Sequence, residues 1–271
     1  MLTAEIIIFW ITVFGYVTAF LLLLHGIVHK NENIKKYVMH ILWLSIFSHT
    51  LVIIFHWILT GHSPVTNTFE NSLAGTWFAM IIFLILQKKG KIEKSAAIVL
   101  SPLAFFILGY GYLQGIEVKP IGPAYDSPWL AVHVIFAWFA FSSYCIATGA
   151  SVILLLKLKY PDSEKLQKMS PAETLDERSY RYVVLGFINQ AIMITAGALW
   201  AKNLWGNYWN WDPLEVWNLG SFLFFAFYLH ARSFLHWRMQ KTAYLIIIGL
   251  LIHIISYWGV GWFGPTPHPM S

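Results

Sequence analysis

Eight apolar stretches run along the chain between polar or proline-bearing segments: Ile6–Val28, Val38–Leu59, Asn71–Gln87, Ser95–Tyr112, Pro128–Leu156, Tyr180–Ala201, Pro213–Phe234 and Tyr244–Phe263. A helix that crosses a bilayer needs about 20 mostly apolar residues, and all eight come near that length. The third and fourth are short. The fifth is long, so its start is expected in the interface. Pro102 is the one proline inside a stretch, where it is expected to kink the helix. The pattern predicts an all-α fold, a polytopic membrane helical bundle of about eight transmembrane helices. The longest polar loop is 157–179, and its Ser170–Ser179 segment, SPAETLDERS, is expected to form a short interfacial helix. No repeat or low-complexity tract interrupts the pattern, so residues 1–271 are expected to form a single membrane domain.

Composition supports the membrane reading. The chain is 58% hydrophobic and 11% charged, roughly half the charged fraction of a soluble domain. A net charge of +5 raises nucleic acid as a partner. Its distribution argues for membrane lipid instead and for no nucleic acid, because the basic residues sit in short loops between apolar stretches. One alternating set of loops holds 16 of the 18 Lys and Arg; Lys119 and Lys202 alone fall in the other. By the positive-inside rule the rich set is cytoplasmic, which places both termini on the outer, periplasmic side. The expected location is the bacterial cytoplasmic (inner) membrane, or the thylakoid membrane in a plastid. The outward segments are then Thr60–Glu70, Leu113–Ser127, Lys202–Asp212 and the tail from Gly264. The first stretch lacks a basic leader and a small-residue cleavage site, so it reads as a retained span. The single cysteine, Cys145, excludes an internal disulfide and a CxxC pair.

The densest chemistry lies in Trp205-Gly206-Asn207-Tyr208-Trp209-Asn210-Trp211-Asp212-Pro213-Leu214-Glu215-Val216-Trp217, at the outer end of the sixth stretch, within a loop region at 200–217. Asp212 before Pro213 is helix-start chemistry: a capping acceptor, then proline at the first helical position. Scattered tryptophans usually anchor helix ends at the headgroups. Here four Trp and one Tyr fall within thirteen residues, and Gly206 allows close backbone approach. Such a surface suits a large, flat, apolar ligand with polar edges, which Asn207, Asn210 and Asp212 can meet.

Haem is such a ligand, and its iron takes neutral imidazole. Of the 11 histidines, His133 lies near the outer end of the fifth stretch and His268 lies in the outward tail. Both share a predicted side with the tryptophan loop. His230 lies 18 residues after Asp212, about 27 Å along a helix and so near the inner face. An ionisable group at that depth is a functional candidate. A lone interfacial histidine is as readily hydrogen-bonded scaffolding, and the residues alone leave the two readings open. His25 and His29 share a helix face at the inner end of the first stretch.

The segment from Leu175 to Arg181 with Leu185-Gly186-Phe187, then Gly197-Ala198-Leu199-Trp200-Ala201, then WGNYWNWDP, closely resembles the CcsA (ResC) family of System II cytochrome c biogenesis. So do Ser63–Ser72, Ser127–His133, Tyr228-Leu229-His230-Ala231-Arg232 and Trp258-Gly259-Val260. The resemblance covers most of the chain after about His62. It implies that His133 and His268 ligate haem b at the outer face and that His230 holds it on its way out. Trp205, Trp209, Trp211 and Asp212 would clasp the macrocycle. It also implies a CcsB/ResB-type membrane partner, delivery to apocytochrome c, and a role as the haem-binding subunit of a cytochrome c synthase (haem lyase) complex. No catalytic residue is assigned, since Cys145 has no mate. Two positions depart from the family pattern. Leu214 stands where lysine is usual, and His268 precedes Pro269 rather than Ser-Tyr. Two rivals from other classes remain: a b-type haem electron carrier, which would use a pair such as His25 and His49, and a related regulator that never binds haem. A transporter fits poorly, because the spans are nearly free of acids and only Pro102 interrupts them.

Overall fold

The structure is a computed structural model that describes residues 2–28, 34–116 and 125–259. His29, Lys119, His268 and the tail from Gly264 lie outside the described residues. The elements are α1 Leu2–Val28, α2 Ile34–Thr60, α3 Thr68–Lys88, a short 3-10 turn Lys94–Ala96 leading into α4 Ala97–Leu113, α5 Pro128–Lys159, α6 Glu164–Gln167, α7 Ala172–Trp205, α8 Pro213–Ser233 and α9 Gln240–Ile254, which continues as a π turn over Ile255–Gly259. Every predicted apolar stretch is helical over its described residues, and the described residues form no strand.

Seven of these helices are long and apolar enough to cross a membrane. The remaining predicted span, α8, has 21 residues, but Glu215, Asn218, His230 and Arg232 dilute its apolar content. Many large apolar side chains point outward, among them Ile11, Phe14, Leu44, Phe47 and Phe106. In water such a surface would aggregate; in a bilayer it is the lipid face.

One expectation needs correction. Residues 170–179 do not form a separate interfacial helix. Residues 172–179 are the first turns of α7, which runs unbroken for 34 residues from Ala172 with Pro171 as its N-cap. The run Ala172–Arg181 is rich in good helix formers and holds neither glycine nor proline, so nothing separates it from the span. The short helix in this loop is α6 instead. Lys157 closes the loop by donating to the carbonyls of Leu166, Met169 and Ser170 at 2.9, 3.2 and 3.2 Å. Pro102 lies inside α4, which continues across it.

The helices fall into two compact units, Met1–Ile121 and Gly122–Ser271. In the first, α1 packs on α2 and α4, and α3 packs on α4 and α2. In the second, α5 and α7 make the most extensive pairing, with α9 against α5 and α8. Small residues let α5 and α7 approach closely: a methyl group added at Gly186 would lie 2.5 Å from the Tyr144 ring.

Candidate functional site

The aromatic loop is built by two helix ends. α7 stops at Gly206, whose φ of 77° lies in the left-handed region that glycine enters without steric cost, and its N–H donates to the Lys202 carbonyl. Lys202 Nζ donates in turn to the Gly206 carbonyl and sits 5.4 Å above the Tyr208 ring. At the far end Asp212 caps α8, accepting the Glu215 N–H at 2.9 Å, with Pro213 at the first helical position. Glu215 reaches back to the Asn210 N–H at 2.8 Å, and Asn207 donates to Asn210 Oδ1 at 3.3 Å. These bonds hold Trp211 at a φ of 59°, a strain of about 1–2 kcal/mol for a residue with a side chain. The result is an exposed aromatic surface: Trp211 is 70% exposed, Tyr208 55% and Trp205 37%. Trp209 meets Trp211 edge-on at 5.9 Å, and its Nε1–H is buried without an acceptor. Replacing Asp212 by alanine is expected to cost about 1 kcal/mol of stability. It should also speed limited proteolysis within 206–212 of the detergent-solubilised chain.

His133 sits on α5 next to this end of α7. Its Nδ1 lies 2.9 Å from the Met193 carbonyl, which only accepts, so Nδ1 carries the proton and Nε2 presents a lone pair. A metal-ligating imidazole is oriented in this way, one ring N–H fixed on a carbonyl and the other nitrogen left for the metal. Gly197 makes the room, since a Cβ there would come within 2.7 Å of His133 Nδ1. The buried Trp200 ring lies 6.3 Å from the His133 ring and 6.2 Å from Trp205, which links the histidine to the loop. Neither Met193 nor Gly197 was given a role at the sequence level. The period of a single helix shows which residues share a face, but not that α7 turns a carbonyl and a glycine toward α5.

The other end of the second unit is a separate place. Arg232 of α8, 2% exposed, puts Nη1 2.9 Å from the Asp176 carboxylate at the start of α7. Asp176 also accepts the Met239 N–H and the Thr242 hydroxyl, each at 3.1 Å. Two of the quoted motifs, Leu175–Arg181 and Tyr228–Arg232, therefore meet. His230 stands beside this pair, exposed, with its ring stacked on Phe234 at 4.7 Å. Asp176 and Trp200 are 24 residues apart on one helix, about 36 Å. His133 and His230 thus belong to opposite ends.

The remaining histidines sort differently. His49 bonds the Tyr16 hydroxyl at 3.1 Å, and His25 lies nine residues farther along α1, about 13 Å from that level. The two are not placed to share one haem, which removes the pair the electron-carrier reading relied on. His253 is fully buried in an aromatic box of Phe141, Tyr144, Phe225 and Tyr257, with Nδ1 3.0 Å from Ser221 Oγ. Among the described residues no group of three or more His, Cys, Asp or Glu could hold a bare metal ion.

A family model described as cytochrome C assembly protein matches residues 65–268, a span that includes the aromatic loop and His133, His230 and His268. The chain belongs to the cytochrome c assembly protein family. Its relatives include the cytochrome c biogenesis protein CcsA of Guillardia theta, 32% identical over 248 residues that span 83% of this chain and 82% of that protein. CcsA of Trieres chinensis is 31% identical over 247 residues, 78% of this chain and 79% of that one. CcsA of Prochlorococcus marinus (strain MIT 9215) is 28% identical over an alignment of 288 positions that covers 95% of this chain and 93% of that one. These matches place it in the CcsA family. Among solved structures, Cytochrome c Heme Lyase CcmF superposes with a TM-score of 0.71 at 12% identity, covering 95% of this chain and 47% of CcmF. The chain spans about half the length of CcmF, and at that identity the likeness is one of fold. The protein is a multi-pass helical membrane protein of cytochrome c biogenesis.

Proposed function

We propose that this chain carries haem b to the outer face of the inner or thylakoid membrane and presents it there for covalent attachment to apocytochrome c. Haem is the substrate it positions. The observation that carries the reading is His133, with Nδ1 fixed on the Met193 carbonyl, Nε2 available, and a file of tryptophans beside it. His268 is the proposed second axial ligand, and His230 the holding point at the opposite end. The buried, unpaired Trp209 Nε1–H and the exposed faces of Trp205 and Trp211 fit a ligand with an apolar face and carboxylate edges. When bound, haem supplies the vinyl groups that the reduced thiols of an apocytochrome CxxCH motif attack. Cys145 is buried and alone, so the chain's own part is binding, orienting and excluding water. A CcsB/ResB-type membrane protein is the proposed partner.

The test is an absorption spectrum of the protein purified with its partner from haem-replete membranes. His133→Ala and His268→Ala are each expected to lose bound haem or its low-spin signature. Unchanged spectra in both would refute the ligand assignment. In His230→Ala, haem at the outer site should fall although both outer ligands are intact. Normal loading would remove the transit role.

A further inference from the structure

Three titratable side chains from three helices meet inside the first unit, in a place the proposed function does not use. His56 of α2 stands between Glu5 of α1 and Glu70 of α3, with Nδ1 2.7 Å from Glu5 Oε1 and Nε2 3.1 Å from Glu70 Oε1. Glu5, His56 and Glu70 are 5%, 1% and 0% exposed.

A neutral imidazole has one N–H and can satisfy one carboxylate. Its other nitrogen would then face an ionised oxygen, lone pair against lone pair. Both contacts are satisfied only if the cluster holds one proton more than a neutral ring and two carboxylates. Glu70 is not its carrier. Its Oε2 already accepts the Thr66 N–H at 2.7 Å and the Thr66 hydroxyl at 2.8 Å, and its Oε1 accepts from Asn67 Nδ2 at 3.1 Å. With three donors on its two oxygens, Glu70 is the acceptor in the contact with His56 and the ring nitrogen the donor.

The surroundings put the proton on the imidazole. Glu5 and Glu70 each sit in the first turn of a helix, near the positive end of its macrodipole. No Lys or Arg occurs in residues 2–28, 37–87 or 95–113, so no lysine or arginine of these stretches competes with the imidazolium for the two carboxylates. Other titratable groups near the site are few. His62 Nδ1 is 3.9 Å from Glu70 Oε2 and is also 2.9 Å from the Ser63 carbonyl. α4 contributes Tyr112, which stacks on Phe9 of α1 at 5.4 Å, and no charged residue. His49, two turns back on α2, is engaged with Tyr16.

We propose that Glu5, His56 and Glu70 form a proton-binding site, in which one proton held on His56 ties α1 to α2 and α3. Without it, two buried carboxylates face each other across a neutral ring that can answer only one of them. The seating of α1 therefore depends on proton occupancy: the tie is complete at neutral pH and loosens as pH rises and the ring gives up its proton.

The test uses the full chain in lipid nanodiscs, read by solid-state NMR with 15N-histidine. Phe55-His56 is the sole Phe–His pair in the sequence, so carbonyl-13C phenylalanine assigns the His56 signals in the wild type without any variant. Both ring nitrogens should be protonated at about pH 7, where an ordinary histidine is mostly neutral, and one proton should leave as pH is raised. Glu5→Gln should bind that proton about tenfold or more weakly, the usual effect of removing an opposite charge at contact distance. A bare ring nitrogen on wild-type His56 at neutral pH would overturn the proposal. An unchanged titration in a folded Glu5→Gln chain would do the same.

Discussion

Asp176→Leu is expected to destabilise the second unit by about 3–5 kcal/mol, the usual result of removing one partner from a buried ion pair. It should appear as a large fall in the thermal midpoint of the detergent-solubilised protein. The size follows from what is left behind. Arg232 is almost wholly buried and its Nε already lacks an acceptor. Without Asp176 its guanidinium keeps the half-exposed Glu177 at 3.4 Å and the Tyr180 ring at 4.6 Å. The Met239 N–H and the Thr242 hydroxyl lose their common acceptor in the same stroke. Arg232→Met should be milder, because Asp176 retains those two donors. The double variant Asp176→Leu/Arg232→Met should recover part of the loss, since no charge is then stranded. A fall below about 1 kcal/mol in Asp176→Leu would mean that the pair behaves like an exposed one. His230 lies two residues from Arg232, so the same damage should reduce whatever haem that end holds.

This pair also shows where sequence reading stops. Apolar runs of membrane length leave little choice of structure, because a backbone in lipid must satisfy its own hydrogen bonds. That is why every stretch from Ile6 to Tyr244 became a helix close to its expected bounds. The exception, the extension of α7 back to Ala172, came from polar helix formers, in which an apolar count sees only a loop. Pairing between helices was not legible. Asp176 and Arg232 are 56 residues apart, and Glu5 and His56 are 51; no local pattern joins them. Glu70 was visible as a family position at the start of α3, but its chemistry needed His56 beside it. At the proposed haem site the sequence exposed the side chains that advertise themselves, four tryptophans around Asp212 and a histidine on the same predicted side. It hid the parts that hold His133 in place, because a backbone carbonyl has no letter and glycine acts through the atom it lacks.

Gly197→Ala tests that hidden support with the smallest change the site allows. The added methyl would lie 2.7 Å from His133 Nδ1 and 3.0 Å from Cε1, well inside van der Waals contact, so the ring must shift or α7 must retreat from α5. Either movement breaks the bond from Nδ1 to the Met193 carbonyl that aims Nε2. Support of this kind typically changes metal affinity about 10–100-fold, and haem retention should fall by that order while the helix content and the partner complex persist. The double variant Gly197→Ala/His133→Ala separates the causes. If the glycine acts through the imidazole, haem loss should be no greater than in His133→Ala alone, and the stability lost in Gly197→Ala should return as the clash disappears. Additive losses of haem would mean that the glycine acts on the tryptophan file instead, and that His133 is not the group it positions.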